Sequence, residues 1–278
     1  MASAENKQTA SPMALMVAEM VRTMRIQRGW TQEQLGLELG YSAAAVSAME
    51  TCAQPASDAM LVELERVLGN GTYIFQTARR YMRMDKYPEE FKDYVLLEQA
   101  ALSLQVYAAN FIHGLFQTQD YARALIGGGF PPLPDPRVEE LVEVRMARKA
   151  LFDREPVAMI EAVLDESALI RGIGSDDIMR DQMRYLANVA KRRNVSLQVL
   201  PLDAGLSGEY AAGHGSLNIV EGADHKHRVY LEVQEESWTL SDPTKVSTHA
   251  QRCAKIRAEA MGPRESLKFF ERLAGDRK

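Results

Sequence analysis

Histidines, cysteines and clustered glutamates are the residues of this 278-residue chain whose types could do covalent or metal chemistry. His225-x-His227 sits at a polar turn between two alternating runs and offers half of a metal site. Asp224 and His214 are near in sequence, but no clear third ligand completes the set, so both histidines read as solvated turn residues. His214, in GLSGEYAAGHGS, has the glycine flanks of a phosphate loop. The stretch matches no Walker or dinucleotide pattern and precedes a strand rather than a helix, so it reads as a flexible loop. Glu232 and Glu235-Glu236 could share acid–base work, but no partner base accompanies them; they read as a charged edge that discourages strand pairing. The serines lack an elbow motif, and Cys52 and Cys253 lack a nearby histidine signature. The two cysteines also fit neither a disulfide framework nor a zinc spacing, which points to a reducing, cytoplasmic setting. No catalytic residue, metal or cofactor is expected.

Residues 29–51, GWTQEQLGLELGYSAAAVSAMET, offer non-covalent chemistry instead. Residues 13–28 lead in as a helix, with Leu15, Val17, Val21, Met24 and Arg28 at helical spacing and Gly29 as the stop. Thr31-x-x-Gln34 is a capping-box pattern opening a second helix, and Gly40 suits its left-handed end. Ser42 caps a third helix, SAAAVSAME. Ser57 or Asp58 starts a fourth, ended by Gly69-Asn70-Gly71. Between residues 13 and 70 four arginines (22, 25, 28 and 66) face seven acids, the wrong sign for a broad polyanion footprint.

The stretch RIQRGWTQEQLGLELGYSAAAVSAME resembles the helix-turn-helix of lambdoid phage repressors and the wider xenobiotic-response-element regulator family. The resemblance implies that Leu35, Leu39, Val46 and Met49 face a core. It also implies that Arg25 pairs with Glu50 to tie the first helix to the third. Thr31 and Gln32 would meet the DNA backbone, Gln32 touching phosphate and a base. Ser42, Ala43, Ala44 and Ala48 would face bases, with Ser47 beside them. Family members place Gln, Arg, Asn or Lys at several of these positions, because those side chains bond base edges bidentately. Alanine offers a methyl contact, so the expected readout is by shape, thymine methyls and dimerisation.

Further along, residues 73–109 read as mostly helical with a break at Pro88, 117–126 as a short helix, and GGGFPPLPDP (127–136) as a turn-rich connector before a helix over 137–152. PVAMIEAVL (156–164) then reads as a strand, 175–193 as a capped helix and VSLQVLPL (195–202) as a parallel partner strand. Residues 215–234 alternate as a hairpin and 238–240 add an edge strand. Asp242-Pro243 starts a long helix, and a last one begins at Pro263. The expected class is α+β: a tail over 1–12, an all-α helix-turn-helix domain over 13–80, a helical connector over 81–152, and a mixed α/β regulatory and dimerisation domain over 153–278. No apolar run approaches the roughly 18 residues that span a bilayer.

GLFQTQDYARALI (114–126), VSLQVLPLDAG (195–205) and VYLEVQEESWTLSDPTKVSTHAQRCAKIRAEAMGPRESLKFF (229–270) resemble the large C-terminal domain of actinobacterial regulators of the WhiJ-like group. His113 departs from that group's pattern, which has proline there. The resemblance implies a cytoplasmic, nucleoid-associated transcriptional regulator, not an enzyme. It would be a homodimer on a double-stranded inverted-repeat operator, often encoded beside a small partner protein. A second reading stays open: an antitoxin-like interaction protein that neutralises such a partner, with DNA binding secondary.

Overall fold

The computed structural model describes residues 10–233 and 236–276. The chain is α+β and divides into two compact units after Tyr87. The first is all helical: α1 (Pro12–Gln27), α2 (Gln32–Leu39), α3 (Ala43–Glu50), α4 (Asp58–Leu68) and α5 (Ile74–Met84). Residues 1–9 of the expected tail lie outside the described residues. Ser11 and Pro12 do not belong to a tail: the Ser11 hydroxyl accepts from Ala14 N–H and Pro12 takes the first helical turn, as N-cap and N1 residues do.

The buried stripe of α1 is Ala14, Val17, Ala18 and Val21; Leu15, expected inward, is 52% exposed. Leu35, Leu39, Val46 and Met49 meet that stripe, together with Leu61, Leu64 and Leu68 of α4 and Phe75 of α5. No residue of α5 caps its own N-terminus. Glu65 of α4 does so instead, accepting from the N–H groups of Tyr73, Phe75 and Gln76 at 2.8–3.1 Å. Gly69 lets that carboxylate fold back, since a Cβ there would collide with it. A carboxylate on the orphan amides of a helix start satisfies donors and complements the dipole together.

The second unit holds a six-stranded sheet in the order β3-β2-β1-β4-β5-β6. In chain order it comprises α6 (Glu89–Gln99), β1 (Ser103–Ala108), α7 (Gln119–Gly127), α8 (Asp135–Ala147), β2 (Met159–Asp165), α9 (Glu166–Ile170), α10 (Asp176–Val189), β3 (Val195–Leu200), β4 (Leu217–Glu221), β5 (His227–Val233), β6 (Glu236–Leu240), α11 (Pro243–Glu259) and α12 (Pro263–Asp276). β1, β2 and β3 are parallel; β1–β4, β4–β5 and β5–β6 are antiparallel. The strand–helix–strand unit, the hairpin and the edge strand stand where the sequence pattern puts them.

Residues 103–108, expected as helix, form β1 at the centre of the sheet, and residues 88–152 of the stretch expected as a helical connector lie in the second unit. Leu104 and Val106 enter the core on one face while Tyr107 enters the core on the other. A strand buried on both faces carries no clean period of two, which is why its pattern misleads. The first face packs under α10 and α12 through Met179, Met183, Leu186 and Phe270. The opposite face is closed by Cys253 and Ile256 of α11.

Candidate functional site

α2, its turn and α3 form one rigid corner. The Thr31 hydroxyl accepts from Gln34 N–H at 3.1 Å, and Gln34 Oε1 accepts from Thr31 N–H at 2.8 Å, completing the capping box. Gly40 ends α2 at φ 75°, where a side chain would be strained. A Cβ on Gly36 would lie 2.6 Å from the Tyr41 carbonyl, so only glycine lets the turn fold back this closely. Ser42 then caps α3, accepting from Ala45 N–H at 3.1 Å. Val46, Met49 and Glu50 point inward. Thr31, Ser42, Ala43 and Ala44 are exposed, and Gln32, Ser47 and Ala48 are half-buried. The exposed first turn of α3 therefore bears methyl groups and one hydroxyl, low enough for a groove floor to approach the backbone.

Behind this face, Arg25 Nε and Nη2 donate to the two Glu50 carboxylate oxygens at 2.6 and 3.0 Å, and Arg25 Nη1 donates to the Trp30 carbonyl at 2.7 Å. The pair that the resemblance implied thus fastens α1 to α3. Burial pushes the Glu50 carboxyl up, but hydrogen bonds from Arg25 and Gln32 outweigh it and hold the group below the usual carboxylate range. Gln32 Nε2 donates to Glu50 Oε2 at 2.9 Å. Its side chain is thus turned into the ion pair, leaving the backbone at the start of α2 as the outward-facing group. Arg28 is likewise engaged, with the Val67 carbonyl, Asn70 and the Trp30 ring. Arg66 bonds Glu63 and the Glu38 carbonyl. Of the four arginines between residues 13 and 70, three serve internal bonds, and Arg22 is exposed.

Residues 21–74 match a family model described as helix-turn-helix. Residues 91–272 match that of a domain of unknown function, DUF5753, which spans more than half of the chain. The chain belongs to the DUF5753 family. No curated protein and no solved structure matches it. The helix-turn-helix match makes the N-terminal unit of this DUF5753 protein that of a DNA-binding regulator of the xenobiotic-response-element type. Among the described residues no helix is long and apolar enough to cross a membrane.

The DUF5753 unit carries a polar cluster that sequence reasoning missed. Arg148 Nε and Nη2 donate to the two oxygens of Glu98 at 2.7 and 2.6 Å, and Tyr94 Oη donates to Glu98 Oε2 at 3.0 Å. The side chains of Arg148 and Glu98 are 3% and 1% exposed. Burial pushes Glu98 up, and Arg148 more than reverses it, so the carboxyl stays ionised. The Arg148 guanidinium lies over the Phe91 and Tyr94 rings at 5.0 and 5.7 Å. A Cβ on Gly114 would fall 2.7 Å from Arg148 Nη1, so a side chain there would displace the guanidinium where the loop after β1 crosses it. Burial and the neighbouring Arg148 and Arg145 guanidinium groups push His113 down to about 3, leaving it neutral. A readable signal existed: Val138, Val142, Arg145 and Arg148 follow one another at helical spacing, so the arginines continue an apolar stripe.

The remaining sequence candidates are scattered. His214 is exposed in the loop before β4, and His225, at φ 57°, turns its Nδ1 to Glu221 at 3.1 Å. His227 opens β5. Among the described residues no three His, Cys, Asp or Glu side chains form a metal cluster. Glu235 lies outside the described residues and Glu236 opens β6. Glu232 is not on a charged sheet edge: β5 is paired on both sides, by β4 and β6, and Glu232 lines a cavity instead. Cys52 and Cys253 are free thiols.

Proposed function

We propose that the protein is a sequence-specific transcriptional regulator that binds an inverted-repeat operator as a homodimer, α3 entering the major groove. The observation that carries this reading is the exposed small-residue face of α3, held by the Ser42 cap, Gly36 and the Arg25–Glu50 pair. Ser42, Ala43, Ala44, Ser47 and Ala48 meet base edges and thymine methyls. Backbone N–H groups at the starts of α2 and α3, beside Thr31 and Gln32, hold phosphates. Two such helices in a dimer read half-sites about 34 Å apart. Residues 13–80 do the reading, and the second unit, from Pro88 onward, sets the dimer and senses a ligand or partner protein. The protein works in the cytoplasm, at the nucleoid, as the WhiJ-like group does.

A second reading, antitoxin-like neutralisation of a small partner, rests on the absence of lysine and arginine from residues 29–51. A mobility shift of the full chain on duplex DNA from its own upstream region separates the two. Sequence-specific retardation that Ala44→Glu weakens at least about tenfold supports the first, because a carboxylate on that face repels phosphate and fits no thymine methyl. Retardation equal to that of a scrambled duplex, or indifferent to Ala44→Glu, sinks the first reading and leaves the second.

A further inference from the structure

A cavity of about 360 Å³ opens in the second unit at the carboxyl end of β1, a volume within the range of small-molecule sites. There the sheet changes from parallel to antiparallel, since β1 has β2 on one side and β4 on the other. Open α/β sheets bind ligands beyond the carboxyl ends of their strands, where neighbouring connections diverge. Phe91 of α6 and Phe111 of the loop after β1 supply aromatic walls. Asn218 and Tyr230, which face each other directly across β4 and β5, supply the floor.

Charge sets the first limit on an occupant. Arg148 is paired with Glu98. Glu232 lies in the field of both Arg145 and Arg148, which oppose the upward push of burial on its carboxyl. Arg145 also donates to Gln117 Oε1 at 3.0 Å, and His113 in the lining is neutral. Two cations and two anions thus answer one another around the cavity. A net charge on an occupant would have to break into pairs already made, which is costly away from water. The chemistry that fits is uncharged.

Hydrogen bonding sets the second. Asn218 stands between Val106 of β1 and Tyr230 of β5, both almost fully buried. Among the described residues its amide has no hydrogen-bond partner, and it lines the cavity. A carboxamide presents a donor and an acceptor side by side, and on the core-facing row of a sheet such a group is bonded as a rule. Its complement is a planar edge with an acceptor next to a donor, as asparagine meets adenine.

We infer that this cavity binds an uncharged planar heteroaromatic, a purine base in chemical class, stacked against Phe111 with its donor–acceptor edge on Asn218. A hydrocarbon ring leaves the Asn218 amide unanswered, and an organic ion meets a charge balance already closed. The inference rests on the sensing half of the proposed function and names its ligand class. Its test uses no DNA, so its failure and the failure of DNA reading are told apart.

The test is calorimetric titration of the full chain with adenine as probe. Indole, which keeps the bicyclic ring and a donor but lacks the ring acceptors, is one comparator; the charged benzoate and benzylamine are the others. The expected result is saturable binding of adenine, tighter than any of the three. Asn218→Leu weakens adenine about tenfold and leaves indole unchanged. Phe111→Ala, on an exposed loop, weakens adenine and indole alike, about fivefold or more, and decides the matter if Asn218→Leu does not fold. Absence of adenine binding overturns the inference. So does benzoate or benzylamine that binds as tightly as adenine, a folded Asn218→Leu chain that binds adenine undiminished, or adenine binding indifferent to Phe111→Ala.

Discussion

Each unit of the molecule contains one buried, bidentate arginine–glutamate pair, and the two are used differently. Arg25–Glu50 joins two helices across the back of the helix-turn-helix, with Gln32 and the Trp30 carbonyl completing its bonds. Arg148–Glu98 joins α6 to the residues after α8, against two aromatic rings and beside a cavity. The arginine side chain of the first is 11% exposed, that of the second 3%. The same chemistry thus serves as a peripheral fastener in one place and as a desolvated cavity wall in the other. A buried ion pair contributes little net stability over an apolar substitute, but breaking it leaves a charge stranded. How stranded depends on water, and there the two sites part.

The sharpest break is Glu98→Ala. With Arg148 left almost fully buried and without its counter-charge, the second unit should lose about 3–5 kcal/mol, read from the urea midpoint of Trp238 fluorescence in a Trp30→Phe background. Replacing both partners with apolar residues, Glu98→Leu with Arg148→Met, should recover most of that loss. Failure of the double variant to recover would mean that Tyr94 and the loop at Gly114 depend on the charges themselves.

Glu50→Ala comes next, at about 2–3 kcal/mol, read from Trp30 in a Trp238→Phe background. Water reaches Arg25 more readily than Arg148, which makes the loss smaller. A Glu50→Ala loss equal to that of Glu98→Ala would erase the distinction drawn between the two sites. Acid provides a third comparison. Both carboxyls are held below their ordinary values in the folded chain. Their stabilisation is therefore complete above the unfolded carboxyl range near pH 4.3 and disappears as pH falls through the folded values. Between pH 7 and 5 neither pair should weaken, and below about pH 4 both tryptophan signals should report lower midpoints; a decline already under way at pH 6 would contradict this. The smallest effect is Gln32→Ala, which removes one hydrogen bond to Glu50 and should cost about 1 kcal/mol in the same Trp30 assay.

The asymmetry between the pairs also explains what could be read in advance. In the helix-turn-helix the information is local: a capping box, a left-handed glycine and a serine cap each lie within a few residues of what they control. The direction of Gln32 was not legible, because its side chain is turned inward by a bond to Glu50, 18 residues further along the chain. In the second unit the hairpin, edge strand and terminal helices follow from alternation and N-caps. β1 does not, being flanked by strands distant in sequence and buried on both faces. Nor does Glu98–Arg148, whose partners are 50 residues apart. Arginines that continue the apolar stripe of α8 hinted at a buried charge, but nothing local names its counter-ion.

The sheet order has a consequence for how the chain comes into being. The first unit closes its core among residues between 13 and 82, through helices joined by short turns. In the second unit β1 waits for β2 and then for β4; Ser103 and Glu221, bonded across that last pairing, are 118 residues apart. Local contacts form fast and distant ones slowly, and a nascent chain folds from its N-terminus. On the ribosome, therefore, the helix-turn-helix is folded while the central strand still lacks a neighbour, and every newly made molecule passes through an interval in which only its first unit exists.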